Sequence, residues 1–136
     1  MKLIPLGPAM FVAGQVDPAD MPELAAQGIT LVINNRPDGE EPGQPSSAAV
    51  EEAARSAGLD YRHIPVAGSA AHDQVEAMSE ALGEAEGKVL AFCRSGTRSA
   101  YLWAMARASQ GEAIESIEAR ASAAGYDLSR MLPARH

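Results

Sequence analysis

The residues that could do chemistry lie in one stretch, Cys93-Arg94-Ser95-Gly96-Thr97-Arg98-Ser99, which holds the only cysteine among 136 residues. A short apolar run, Lys88 to Phe92, leads into it, and a helical pattern follows from Ser99. That junction has a chemical consequence. The first turn of a helix leaves backbone N–H groups unpaired, and the macrodipole makes that end positive. A thiolate or an oxyanion is stabilised there, and the thiolate is the nucleophilic form of cysteine. Arg98 can grip an oxyanion with two parallel hydrogen bonds, and Arg94 adds charge. Gly96 permits positive φ and a close approach of backbone to ligand. Thr97 and Ser99 offer hydroxyls to the sulfur or to the helix cap, and the amides from Arg94 through Ser95 to Ser99 point at the bound group. On this reading Cys93 and Arg98 are the catalytic pair, and Arg94, Ser95, Gly96, Thr97 and Ser99 bind the anion. The plain alternative is an inert buried cysteine. Against it, burying two arginines at one junction without an anion would be costly.

Holding such a loop calls for a layered sheet. Met10 to Ala13, Thr30 to Asn34, Tyr61 to Val66 and Lys88 to Phe92 read as strands, from β-branched and apolar runs. Asp17-Pro18 opens a helix to about Gln27, closed by Gly28. Ser46 or Ser47 caps a second through Ala57, Asp73 caps a third from Gln74 to about Ala85, and a fourth runs from Ser99 to Ser109. The fourth is apolar on almost every face and therefore buried. A last helix spans about Ala113 to Ala124. Strands alternating with helices imply a three-layer α/β domain, with a mostly parallel central sheet and helices on both faces. Ligands of such sheets sit at the carboxyl ends of the strands. Asn34-Asn35-Arg36, Ala67-Gly68 and Cys93 should therefore converge on one rim.

Between Asn35 and Pro45 three prolines and two glycines make the longest loop. Arg36, at its start, either adds positive charge to the anion site or pairs with Asp38. Asp38, Glu40 and Glu41 read more readily as solvated loop charges than as groups of the site. His63 reads as a packing residue and His72 as a loop residue near the site. Trp103 and Arg107 stand four apart on one helix, a spacing that allows stacking.

Composition bounds the rest. The chain fits one domain, residues 1–136, with 46% hydrophobic and 21% charged residues. A net charge of −7 argues against nucleic acid as a partner. Pro5 and Pro8 break the N-terminal apolar stretch, which argues against a signal peptide. No run approaches the roughly 20 apolar residues of a membrane span. One cysteine excludes an internal disulfide and a cysteine-rich metal site. The expectation is a cytoplasmic protein with a free thiol and no cofactor or metal.

The cysteine loop resembles the active-site loop of rhodanese-type sulfurtransferases and the signature loop of cysteine-dependent phosphatases. Four residues, Arg94 to Thr97, separate Cys93 from Arg98, as in many rhodaneses, whereas phosphatase loops usually hold one more. A shorter loop encloses a smaller ring, better matched to a persulfide sulfur than to a phosphoryl group. Further segments widen the resemblance: Val12-Ala13-Gly14-Gln15, Val32 through Pro45, His63-Ile64-Pro65-Val66 and Ala124-Gly125-Tyr126-Asp127-Leu128. With these, nearly the whole chain is similar to the bacterial family of unknown function 442. That family is described both as the phosphatase-like domain of β-lactamase-hydrolase-like proteins and as a sulfurtransferase family. The resemblance implies a dual-specificity-phosphatase-like, rhodanese-like fold. It also implies a persulfide dioxygenase as a partner, because some relatives are fused to one, a domain not expected within this chain.

Two activities are open at this point. In the first, Cys93 takes a sulfane sulfur from thiosulfate or a small persulfide and passes it to a thiol or other thiophilic acceptor. In the second, Cys93 forms a thiophosphate that water releases. A phosphatase needs a general acid, and the stretch Pro65 to Ala71 carries no carboxylate. Asp73 is the nearest one and reads as a helix cap. The sequence therefore favours sulfur transfer.

Overall fold

The computed structural model describes residues 2–68 and 70–128. Five strands form one sheet: β1 Ile4–Gly7, β2 Met10–Ala13, β3 Ile29–Asn34, β4 Asp60–His63 and β5 Lys88–Phe92. Their order is β1-β2-β5-β3-β4. Only β1, on the edge, runs antiparallel; β2, β5, β3 and β4 are parallel. The helices are α1 Met21–Ala26, α2 Ser47–Ser56, α3 His72–Glu84, α4 Thr97–Ser109 and α5 Ile114–Ala123. Two buried clusters lie on opposite faces of the sheet, as the expected three layers require. One joins Met10, Val12, Ile33 and Ala91 to Met78, Trp103 and Ile117 from α3, α4 and α5. The other joins Ala13, Val32, Leu90 and Phe92 to Met21, Leu24 and Val50 from α1 and α2. β3 and β5 read as continuous apolar runs because both of their faces are covered.

The order of the strands builds the site. The chain lays down β2, β3 and β4 and then returns to place β5 between β2 and β3. The carboxyl end of β5 is thus flanked by those of β2 and β3. Backbone hydrogen bonds tie the three ends: Cys93 N–H donates to Ala13 O (3.3 Å) and Asn35 N–H to Phe92 O (2.8 Å). Val66 N–H donates to Asn35 O (3.0 Å), which brings in the segment after β4.

Local corrections to the sequence reading each have a cause. The segment 3–8, broken by Pro5 and Pro8, nevertheless gives β1; a proline is tolerated there because the strand lies on an edge. Asp17-Pro18 opens a 3-10 turn, Pro18–Asp20, before α1, and Asp20 Oδ2 accepts from Asp17 N–H (2.9 Å). Ser46 caps α2 as expected, accepting from Ala49 N–H (3.1 Å). Asp73 does not cap α3. The helix starts one turn's fraction earlier, after Ala71, because Gln74 folds back to accept Ala71 N–H (2.6 Å) and to donate to Pro65 O. α4 starts at Thr97, two residues before the expected Ser99, so Arg98 lies inside its first turn.

Candidate active site

Cys93 follows β5 directly and is fully buried. The loop behind it closes through Gly96, whose φ of 91° and ψ of −16° turn the chain into α4. That turn aims Gly96 N–H at Cys93 Sγ, 3.0 Å away. A backbone amide at a helix N-terminus thus already holds the sulfur. Only glycine serves here. A Cβ at Gly96 would stand 2.5 Å from the Tyr126 hydroxyl as well as being strained at that φ. Gly14, at the end of β2, packs as closely: a Cβ there would lie 3.0 Å from Arg94 O.

Arg98 is the best-anchored group at the rim. Its Nη1 donates to Val66 O (2.7 Å) and to Glu40 Oε2 (2.6 Å), and its Nη2 donates to Glu40 Oε1 (2.8 Å). Three of five N–H groups are engaged, which leaves Nε and one Nη2 hydrogen. Glu40 holds the Arg98 guanidinium above its ordinary pKa, and hydrogen bonding and charge interaction with Cys93 add to the effect. Arg98 therefore interacts with both Glu40 and Cys93.

Arg36 is placed differently from either reading offered by the sequence. It does not pair with Asp38; that carboxylate accepts Ser47 N–H at the start of α2 (2.7 Å). The Arg36 guanidinium is only 1% exposed, with Nε on Glu40 Oε1 (2.7 Å), Nη2 beside Glu41 Oε1 (2.9 Å) and Nη1 on Gln15 Oε1 (2.9 Å). Burial opposes its charge, but Glu41 and then Glu40 outweigh burial and raise its pKa. Its guanidinium faces Glu40, Glu41 and Gln15, so it acts as the foundation of that loop.

Glu40 is accordingly not a free loop charge, and Glu41, though exposed, is ion-paired to Arg36. Arg98 first and Arg36 next lower the Glu40 carboxyl to about 2. Arg36 likewise holds Glu41 below the usual carboxylate range. Glu41 Oε2 also lies 3.6 Å from Nη2 of Arg94, which is otherwise 69% exposed. The sequence signal for Glu40 was weak: an acid four residues after Arg36, in a loop without periodicity.

The remaining residues sort as follows. Ser95 Oγ donates to Thr97 Oγ1 (3.2 Å), so these hydroxyls stiffen the loop exterior. Ser99 Oγ is buried without a hydrogen-bond partner among the described residues, a spare donor in the first turn of α4. His63 Nε2 meets Arg36 O (2.9 Å), a structural role, and His72 pairs with Glu76 (2.7 Å) on α3. The cation over Trp103 belongs to Arg120, 5.1 Å from the ring, while Arg107 binds Gln110 (2.9 Å). Tyr126 is an addition. Burial, and then the Cys93 charge, raise its pKa, and its hydroxyl lies against Gly96. The sequence pointed to it only as part of a resembling segment.

Fold and site together define a phosphatase-like α/β domain with a cysteine-bearing loop at the end of the central strand. The sequence profile of the family "Beta-lactamase hydrolase-like protein, phosphatase-like domain" matches residues 3–110, and the chain belongs to that family. It is 42% identical over 130 residues to a beta-lactamase hydrolase-like protein of Agrobacterium fabrum, covering 94% of this chain and 30% of the relative. Against a protein of the same description from Xylella fastidiosa it is 37% identical over 132 residues, with 96% and 31% covered. The chain thus spans about a third of the length of these curated relatives. A crystal structure of a candidate phosphatase from Neisseria meningitidis is 38% identical with a TM-score of 0.78, over 93% of this chain and 90% of that one. The active form of the phosphatase Tk-PTP, at 19% identity and a TM-score of 0.68, shares the fold over 90% of this chain and 84% of its own. Among the described residues no helix is long and apolar enough to cross a membrane.

Proposed function

We propose that this domain is a sulfurtransferase working through a Cys93 persulfide. The carrying observation is the state of Glu40: the carboxylate that reaches the rim is locked as an ion between Arg36 and Arg98. Held between two guanidiniums, it is ionised at neutral pH and has no proton to give. Sulfur transfer needs none. Cys93 thiolate bonds to the outer sulfur of R–S–SH, the S–S bond breaks, and R–S⁻ leaves with the bonding pair. Thiosulfate reacts in the same way and releases sulfite. An acceptor thiolate then attacks the terminal sulfur of the Cys93 persulfide, forms its own persulfide and restores the Cys93 thiolate. Gly96 N–H steadies the sulfur, with Ser99 Oγ as the second donor, and the free edge of Arg98 with Arg94 holds the departing anion.

A second reading is a cysteine-dependent phosphatase, with Cys93 forming a thiophosphate that water cleaves. The family description and the 38% identical candidate phosphatase favour it, more than they favour sulfur transfer. It requires another donor for the leaving oxygen than ionised Glu40.

One paired assay separates the two. Thiocyanate formation from thiosulfate and cyanide, persulfidation of Cys93 by glutathione persulfide, and p-nitrophenyl phosphate hydrolysis are measured for wild type and Cys93→Ser. Sulfur transfer that is present in wild type and lost in the variant is the expected outcome. Failure with both sulfur donors, alongside hydrolysis that depends on Cys93, would replace the first reading by the second.

A further inference from the structure

Three guanidiniums, those of Arg36, Arg94 and Arg98, meet at the rim, and Glu40 and Glu41 lie across them. Asp38 is turned away to α2. With Cys93 ionised, positive and negative charges in this group balance, inside a protein whose net charge is −7. Moreover, Glu40 holds the outer fork of Arg98 with both oxygens at 2.6 and 2.8 Å, the bidentate geometry with which arginine captures an oxyanion. A dianion, whether thiosulfate, sulfate or phosphate, arrives at a cluster with no surplus positive charge, finds the outer fork of Arg98 taken, and must sit on its inner edge beside the Glu40 carboxylate. A persulfide in its protonated R–S–SH form brings neither charge nor an oxyanion to the reacting atoms and does not compete.

We propose that Glu40, assisted by Glu41, is the specificity-determining residue of this site, turning it toward persulfide donors and against dianionic ones. The choice of donor rests on the sulfur-transfer reading; the discrimination against dianions does not. A carboxylate close to an anion site disfavours the wrong ligand by repulsion, the usual second half of specificity. Glutamine at position 40 would remove the charge and keep an oxygen to accept from Arg98, so the loop retains its tether.

The test measures binding of thiosulfate, sulfate and phosphate by calorimetry for wild type, Glu40→Gln and Glu41→Gln. In parallel, Cys93 persulfidation by glutathione persulfide and by thiosulfate is followed by intact mass. Dianion affinity should rise about tenfold in Glu40→Gln and about threefold in Glu41→Gln, from the Coulomb terms removed. The ratio of persulfide to thiosulfate rates should fall by a similar factor. Unchanged or weaker dianion binding in both variants, with unfolding midpoints near wild type, overturns the proposal. If wild type reacts with neither sulfur donor, the sulfur-transfer reading falls, whereas a rise in dianion affinity would still uphold the charge discrimination.

Discussion

At Gly96 two requirements coincide: a left-handed φ of 91° and room for the Tyr126 hydroxyl where a Cβ would stand. Gly96→Ala should therefore lower stability by about 2–3 kcal/mol and displace the N–H that holds Cys93 Sγ. The expected thermal midpoint is roughly 8 °C below wild type, read by calorimetry. Adding Tyr126→Phe removes the clashing oxygen and should recover part of the midpoint, because the strain in φ remains. A double mutant no more stable than Gly96→Ala alone would show that Tyr126 does not press on the loop. That Cys93, Arg98 and Gly96 would meet was legible because they stand within six adjacent positions at a strand-to-helix junction. Glu40 was not, since its partner Arg98 lies 58 positions away and only the folded loop brings them together.

Among the elements, the loop between β3 and α2 is held at both ends. Arg36 and Arg98 clamp its acids in the middle, and Asp38 fixes its exit on α2. Glu40 links this clamp to pH. Its folded pKa, about 2, lies below the ordinary 4.5, so its ion pairs stabilise fully above 4.5 and are lost as the pH falls toward 2. In a pH series of thermal melts, wild type should exceed Glu40→Gln above 4.5, and the gap should close near 2. A gap that persists at the acidic end would assign the difference to packing. Beneath the loop, Tyr61 ties β4 to its neighbours: Asn34 Nδ2 donates to its hydroxyl (3.0 Å), and Ser47 Oγ lies 2.7 Å away. Tyr61→Phe leaves both buried partners short of a bond and should lower stability by about 2 kcal/mol, measured by urea unfolding. Helix and strand identities were readable from apolar periodicity and caps. β1 was hidden by its prolines, and the start of α3 by Gln74, whose back-folded side chain outcompetes Asp73 as a cap.

For the molecule as a whole, a charge-balanced cup sits in a body of net charge −7. Long-range repulsion should slow dianionic donors, and salt should relieve it. Raising ionic strength from about 0.01 to 0.15 M shortens the Debye length from about 30 to 8 Å. Over that range kcat/KM for thiosulfate should rise severalfold, and a rate that salt leaves unchanged would locate the discrimination in the cup alone. The three-layer arrangement was legible as a whole because alternating strands and helices leave few topologies, whereas the placement of β5 between β2 and β3 is seen only in the folded sheet. Trp103 gives this architecture a practical side. It is the chain's single tryptophan, fully buried, and it lies on the helix whose first turn carries Arg98. Emission from this one indole therefore reports on α4 and on α5, whose Arg120 lies over the ring, so a shift of α4 on loading Cys93 can be followed in real time without a dye, a label or a coupled enzyme.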